Sequence, residues 1–308
     1  RHSSMCGSLA AVESFPERLS FCSDRNRADL VADCRRVFTA HTVEKEESES
    51  SGKTYWLPIG TSPACALEQI VQEILQWHQH RLSIHDATGA EWWTLWMDGE
   101  EDDVGWHWDA DYEARDRGDV KHPFLATVTY LEAGGSVAPT AIVEACREES
   151  IMAGNGAVIH SAHLSLPVPG KHICFDGTLL HGAPVELRNV FGCVPRTGKK
   201  RSARSTLLVN IWRGHRPRDP QRLPSEVAAK LGPVTVASPF ALGSQRAAAS
   251  CELVVGRGVS AQEMSWSFGE SDGLSVAFPV PLEAAEASKD ADTIRLHFTD
   301  GRCGCVGW

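Results

Sequence analysis

From residue 91 onward the chain breaks into short runs rich in β-branched and aromatic residues: EWWTLWM, FLATVTYLE, TAIVEA, HICFD and RSTLLVNIW. Clusters of Gly, Pro and Asp separate them, which is the signature of strands joined by turns. Helical periodicity belongs to the upstream part. In RNRADLVADCRRVF, Leu30, Val31, Cys34, Val37 and Phe38 fall on one face at helical spacing. A second helix is announced by Ser62-Pro63, a cap and a favourable first position, and carries the stripe Leu67, Ile70, Val71, Ile74 and Leu75. Between them, the charged and Ser-rich EKEESESSGK (44–53) reads as a surface loop. Helices followed by a series of strands predict a mainly β protein with flanking helices, built as a sandwich or barrel.

The expected organisation is a helical segment over 1–90 packed on a β core over 91–220. Residues 221–308 form a C-terminal extension of the same domain. Within that extension SWSF, LSVAFPV and IRLHFT read as strands, either completing the core sheets or forming an appendage. No internal repeat is visible.

Composition narrows the function classes. At 308 residues the chain can bury a full-sized core. A net charge of −10 argues against a general nucleic-acid binder. No apolar run approaches the roughly 18 residues of a membrane span. The 10 Cys are scattered and contain no CxxC pair, so the expectation is free thiols in an intracellular, reducing compartment. Because the chain starts at Arg1, a targeting segment is not determinable.

The chemistry starts at VGWHWDADYE (104–113). On a strand, His107 and Asp109 face one side and reach one ion together, while Trp106 and Trp108 point into packing. Alone this is weak, since chance supplies about 0.7 such pairs in a chain of this composition. A third ligand is offered by KHICFDGTLLHGAP (171–184), in which a strand, an Asp176-Gly177 turn and Leu179-Leu180 lead into His181. Two His and one carboxylate leave three adjacent coordination positions open, which suits non-haem Fe(II) better than zinc.

The order HxD, FDGTLLHG and RSTLLVNIW resembles the Fe(II)/2-oxoglutarate-dependent dioxygenase superfamily over about Trp92 to Pro217. The resemblance implies a double-stranded β-helix (jelly-roll, cupin-like) core, with His107, Asp109 and His181 as the iron ligands and catalytic centre. It further implies a basic residue after the distal His that grips the far carboxylate of 2-oxoglutarate. Arg204 with Thr206 fills that role, since both share a face of RSTLLVNIW with Leu208, Asn210 and Trp212, and Arg201 is the reserve. The implied reaction is hydroxylation, or demethylation or desaturation, of a small-molecule or peptide substrate with release of succinate and CO2. Ascorbate is the candidate reductant. Asp109 separates the chain from halogenating relatives, which omit that ligand. The reading from another class is a non-oxidative cupin-like metal protein: an isomerase, a hydrolase or a ligand-binding module. Such a protein needs no buried cation on the late strand.

Other features carry weaker signals. His160 and His163 in NGAVIHSAH read as exposed or satisfied histidines at a strand running into a loop, and His172 as a cavity-lining residue at best. The acidic cluster 98–103 reads as a solvated loop. Asp111 and Glu113 continue the alternation of Asp109, as ligand-orienting or surface groups. Nine cations between Arg196 and Arg222 oppose only Asp219, and read as a solvated loop or as steering for an anionic co-substrate or substrate. Cys303 and Cys305 read as free thiols, and Trp92, Trp93 and Trp96 as shared between core and cavity wall.

Overall fold

The computed structural model describes residues 12–19, 24–37, 54–97, 104–133, 138–148, 151, 156–190, 204–235, 249–268, 274–299 and 303–307. Two antiparallel sheets face each other. The first runs β1 (Val12–Phe15), β9 (His172–Asp176), β5 (Leu125–Glu132), β11 (Arg204–Arg213), β3 (Ala87–Met97) and β2 (Tyr55–Pro58) in spatial order. The second runs β12 (Ser250–Val255), β15 (Thr293–Phe298), β8 (Ser161–Ser165), β6 (Thr140–Arg147), β10 (Leu179–Ala183) and β4 (Val104–His107), with β12 and β15 as a parallel pair at its edge. Strands close in sequence alternate between the sheets, the winding of a jelly roll. A third sheet holds β13 (Ala261–Phe268), β14 (Leu274–Pro281), β16 (Gly304–Gly307) and β7 (Ala157–Val158).

Period-two alternation sends each strand's side chains to two different cores. On β11, Leu207, Val209 and Ile211 face outward, where α1 (Asp24–Arg36) and α2 (Ala66–Leu82) cover them with Leu30, Val31, Cys34, Ile70 and Ile74. The described parts of the helical stripes read from sequence are thus the faces that bury the first sheet, while Phe38 and the stretch 44–53 lie outside the described residues. The second sheet turns Ala141, Val143, Ala162, Leu164, Ile294 and Leu296 outward against Val276, Phe278 and Val280 of the third. Between the two large sheets lie Ala126, Val128, Tyr130, Ile142, Ile173, Phe175, Leu179 and Leu208. That inner layer forms the wall of the site.

Two expectations change, and one left open is decided. Residues 1–60 hold strands as well as a helix, because β1 and β2 cap opposite edges of the first sheet by pairing with β9 and β3. Helix α2 takes Cys65, not Ser62, as its N-cap, and Glu68 reaches back to accept the Ala64 N–H at 2.8 Å in place of a hydroxyl cap. The C-terminal strands do two jobs: β12 and β15 extend the second sheet through β8, while β13, β14 and β16 cover its outer face. Among the described residues no helix is long and apolar enough to cross a membrane.

Candidate metal centre

His107 closes β4 and His181 sits mid-β10, and the two are cross-strand partners in the register of the second sheet. Their rings lie 4.4 Å apart, centroid to centroid. The strands approach closely here because Gly182 has no side chain: a Cβ would meet the Gly105 and Val104 carbonyl oxygens at 2.9 Å. Asp109 follows just beyond the strand end and turns back, so Oδ1 lies 3.5 Å from His107 Nε2 and Oδ2 lies 3.5 Å from His181 Nε2. One ligand atom from each residue falls within 4.8 Å of the others. Trp106 and Trp108 point away into the outer core, as alternation requires.

Both imidazoles are held in the same tautomer. Nδ1 of His107 donates to Gly105 O at 2.8 Å, and Nδ1 of His181 donates to Leu179 O at 3.0 Å. Each Nε2 is therefore left as a lone pair aimed at the shared centre. Burial alone would raise the Asp109 carboxyl, but the two facing histidines outweigh it and hold Asp109 far below the usual carboxylate range. Burial disfavours charge on His107 too, yet its hydrogen bond and attraction to Asp109 leave its affinity for a proton raised.

The centre is braced from outside the triad. Asn210 Nδ2 on β11 donates to Asp109 Oδ2 at 3.1 Å, and the Asn210 Oδ1 is buried with no hydrogen-bond partner among the described residues. His122 Nδ1 donates to the Asp109 carbonyl at 2.8 Å, while its Nε2 lies 3.4 Å from the buried Glu148, which Arg115 also contacts at 2.9 Å. Glu91, the register partner of Asn210, accepts from Thr54 Oγ1 at 2.7 Å and Trp212 Nε1 at 3.0 Å. Burial, then the charges on Asp109 and Asp111, push its carboxyl up to about 7. Phe175 lies against the His181 ring at 4.9 Å.

Further along the inner face of β11, six residues from Asn210, lies Arg204. At roughly 3.3 Å per residue the Cα separation is about 20 Å, a gap the long guanidinium side chain shortens. Arg204 is 3% exposed and donates to Ala138 O and Thr140 Oγ1, both at 2.8 Å, with its Nε unpartnered among the described residues. Its guanidinium lies 5.4 Å from the Tyr130 ring centroid. Thr206 is buried and its hydroxyl likewise has no partner there.

Several predicted roles are redistributed. Arg201, the acidic cluster 98–103 and the side chain of Cys305 lie outside the described residues. His160 is exposed, whereas His163 is buried on β8 and bonds Glu144 at 2.6 Å. His172 does not line the cavity. It shares the helix-facing side of β9 with Cys174, bonded to His78 Nε2 at 2.9 Å and Thr129 Oγ1 at 2.8 Å. Asp111 is a buried helix cap that accepts from Ala114 N and from His215 Nε2 at 2.8 Å, and Glu113 is exposed. Trp92 packs under the helices, Trp93 borders the inner layer, and Trp96 carries the Arg35 guanidinium on its ring. Of the basic stretch, Arg213 pairs with Asp86, Arg222 with Glu68, and Arg216 stacks on Trp56. Asn210, Glu91, His122 and Tyr130 had no motif to announce them. Only strand alternation on β11 pointed to Asn210.

No protein-family model and no curated protein matches the chain. Solved structures do. A Pseudomonas putida prolyl-4-hydroxylase is 16% identical, with 69% of this chain and 89% of that one covered, at a TM-score of 0.36. An oxidoreductase from Burkholderia pseudomallei described as a 2OG-Fe(II) oxygenase is 10% identical over 68% and 88%, at 0.34. SnoN, a non-heme alpha ketoglutarate dependent epimerase from nogalamycin biosynthesis, is 14% identical over 70% and 88%, at 0.35.

Proposed function

We propose that the protein is an Fe(II)- and 2-oxoglutarate-dependent oxygenase acting on a small molecule or peptide, with His107, Asp109 and His181 as the iron ligands. The donor set fits the metal. Two neutral imidazoles and one carboxylate on one side of an ion leave three neighbouring positions for co-substrate and dioxygen, whereas zinc more often takes three His or Cys and one water.

One observation carries the choice of an oxygenase over a non-oxidative jelly-roll metal protein. Arg204 is buried on the inner face, bonded only to neutral oxygens among the described residues, on the same strand that holds Asp109 through Asn210. A buried cation without a counter-charge is costly unless an anion joins it. The far carboxylate of 2-oxoglutarate supplies that anion, held by the Arg204 guanidinium with the Thr206 hydroxyl.

When bound, iron supplies reduction of dioxygen coupled to oxidative decarboxylation of 2-oxoglutarate to succinate and CO2, with ascorbate as an auxiliary reductant. The chain's own part is placement. The Gly105 and Leu179 carbonyls keep both Nε2 lone pairs available to the metal. Asn210 fixes the carboxylate that completes the triad. Val128, Ile173, Phe175 and Leu208 belong to the apolar layer packed between the two sheets, which keeps bulk water from the reacting centre. Hydroxylation, or a demethylation or desaturation derived from it, is the outcome suited to a site that keeps Asp109. Adding 2-oxoglutarate to the anaerobic Fe(II) protein tests this reading. A visible charge-transfer absorption from a chelated 2-oxo acid is expected, lost in Arg204→Met at the same co-substrate concentration. Iron binding with no response to 2-oxoglutarate would favour the non-oxidative reading.

A further inference from the structure

We propose that Lys171 is a second cation of the pocket for the far carboxylate, standing with Arg204 on the ring of Tyr130. This deepens, and rests on, the oxygenase reading. Lys171 immediately precedes β9, and alternation from the helix-facing His172 and Cys174 puts it on the inner face with Ile173 and Phe175. It is fully buried. Its Nζ lies 5.3 Å from the Tyr130 ring centroid, against 5.4 Å for the Arg204 guanidinium, so one aromatic ring carries both cations. The Tyr130 hydroxyl is engaged elsewhere, with Thr140 Oγ1 at 2.8 Å and Ser165 Oγ at 3.1 Å.

The Lys171 side chain makes one hydrogen bond among the described residues, from Nζ to the Asp292 backbone carbonyl at 2.5 Å. That carbonyl already accepts the Leu166 N–H at 2.9 Å, so it needs no lysine to satisfy it. An ammonium has three protons to give, and two are left over. The Arg204 Nε, whose guanidinium shares the Tyr130 ring, and the hydroxyl of Thr206, the register partner of Tyr130, are buried without partners among the described residues. Around Tyr130 the side-chain donors of Lys171 and Arg204 thus reach only neutral oxygens among the described residues, with the Asp292 carboxylate acting on Lys171 through space alone. A staple could be made with an uncharged side chain at lower cost. A carboxylate, with two oxygens and room for several donors, satisfies the surplus.

The electrostatics agree. Burial, reinforced by Arg204 and opposed by Asp292, brings the Lys171 amine down to about 7. Tyr130, Arg204 and Asp292 are the titratable groups that act on it. Near pH 8 the amine is therefore mostly neutral before binding, and a bound carboxylate holds it protonated, so binding takes up a proton.

Calorimetry of 2-oxoglutarate binding to the Mn2+-loaded protein at pH 8, in two buffers of different ionisation heat, tests this. Wild type is expected to take up a fraction of a proton. Lys171→Met is expected to bind roughly ten- to a hundred-fold more weakly and to take up none. Lys171→Gln, which keeps a donor for Asp292, should behave like Lys171→Met, and neither should melt below wild type when ligand is absent. If both variants bind 2-oxoglutarate as wild type does, or melt well below it, Lys171 is structural and the proposal falls while the oxygenase reading stands. If wild type itself binds no 2-oxoglutarate, both fall.

Discussion

The carboxamide of Asn210 donates to Oδ2 of Asp109 over 3.1 Å, so a strand of one sheet holds the carboxylate that faces two histidines of the other. Replacing Asn210 with Leu removes that restraint without adding charge. Metal affinity is expected to fall roughly ten- to a hundred-fold, as is usual when an outer partner of a ligand is lost. Titration of Mn2+ followed by its paramagnetic resonance signal checks it. Unchanged affinity would show that Asp109 is held by His122 and its own loop alone.

Gly182 sets the spacing of the two histidine strands. Gly182→Ala places a methyl within 2.9 Å of two backbone carbonyls of β4, and neither carbonyl is a flexible side-chain end. The variant is expected to push β4 off β10, lower the melting temperature and weaken metal binding together. A variant that melts early but binds metal normally would separate the strand contact from the site.

Arg204 is predicted to dominate co-substrate affinity. Arg204→Leu should weaken 2-oxoglutarate binding on the order of a hundred-fold, about 3 kcal/mol, because a buried anion loses its charged partner. Arg204→Lys should recover little of it, since a point charge lacks the fork that also reaches Ala138 and Thr140. Equilibrium binding under anaerobic conditions measures both.

The helix-facing pair His78 and His172 predicts an acid limb in stability. Burial, then Arg18 and Arg81, hold His172 down at about 3 against an ordinary 6.5, and burial, then His172 and the same two arginines, lower His78. A depressed histidine binds fewer protons folded than unfolded, so its stability contribution is whole above about 6.5 and is lost as pH falls toward 3. Thermal melts of His172→Gln across that window should show a shallower pH slope than wild type. An identical slope would assign the acid limb to other groups.

The sequence was most informative where periodicity and short motifs carried physical content. Leu67, Ile70, Val71 and Ile74 point into the helix-covered core at the predicted spacing, and the runs around Trp92, Thr127, Cys174 and Leu207 are strands of one sheet. His107, Asp109 and His181 converge although 74 positions separate the two histidines (181 − 107), because β4 and β10 are register partners. What stayed hidden depends on pairing across sheets, which no local pattern encodes. Lys171 carries no motif, Asp111 reads as a ligand-orienting or surface group, and His172 as a cavity-lining residue at best. Each was decided by which layer its strand or loop faces. The short strand at Val12–Phe15 was missed because VESF is half-polar and finds its strand identity only by pairing with β9.

Under the proposed function, Asp109 completes an iron site that consumes 2-oxoglutarate. Succinate released by the Fe(II)-loaded protein in air, compared between wild type and Asp109→Ala, tests it most directly. Oxygen-dependent succinate is expected from wild type, slow without prime substrate, and background levels from the variant. Equal succinate from both, or none from an iron-loaded wild type that also fails to bind 2-oxoglutarate, would contradict it.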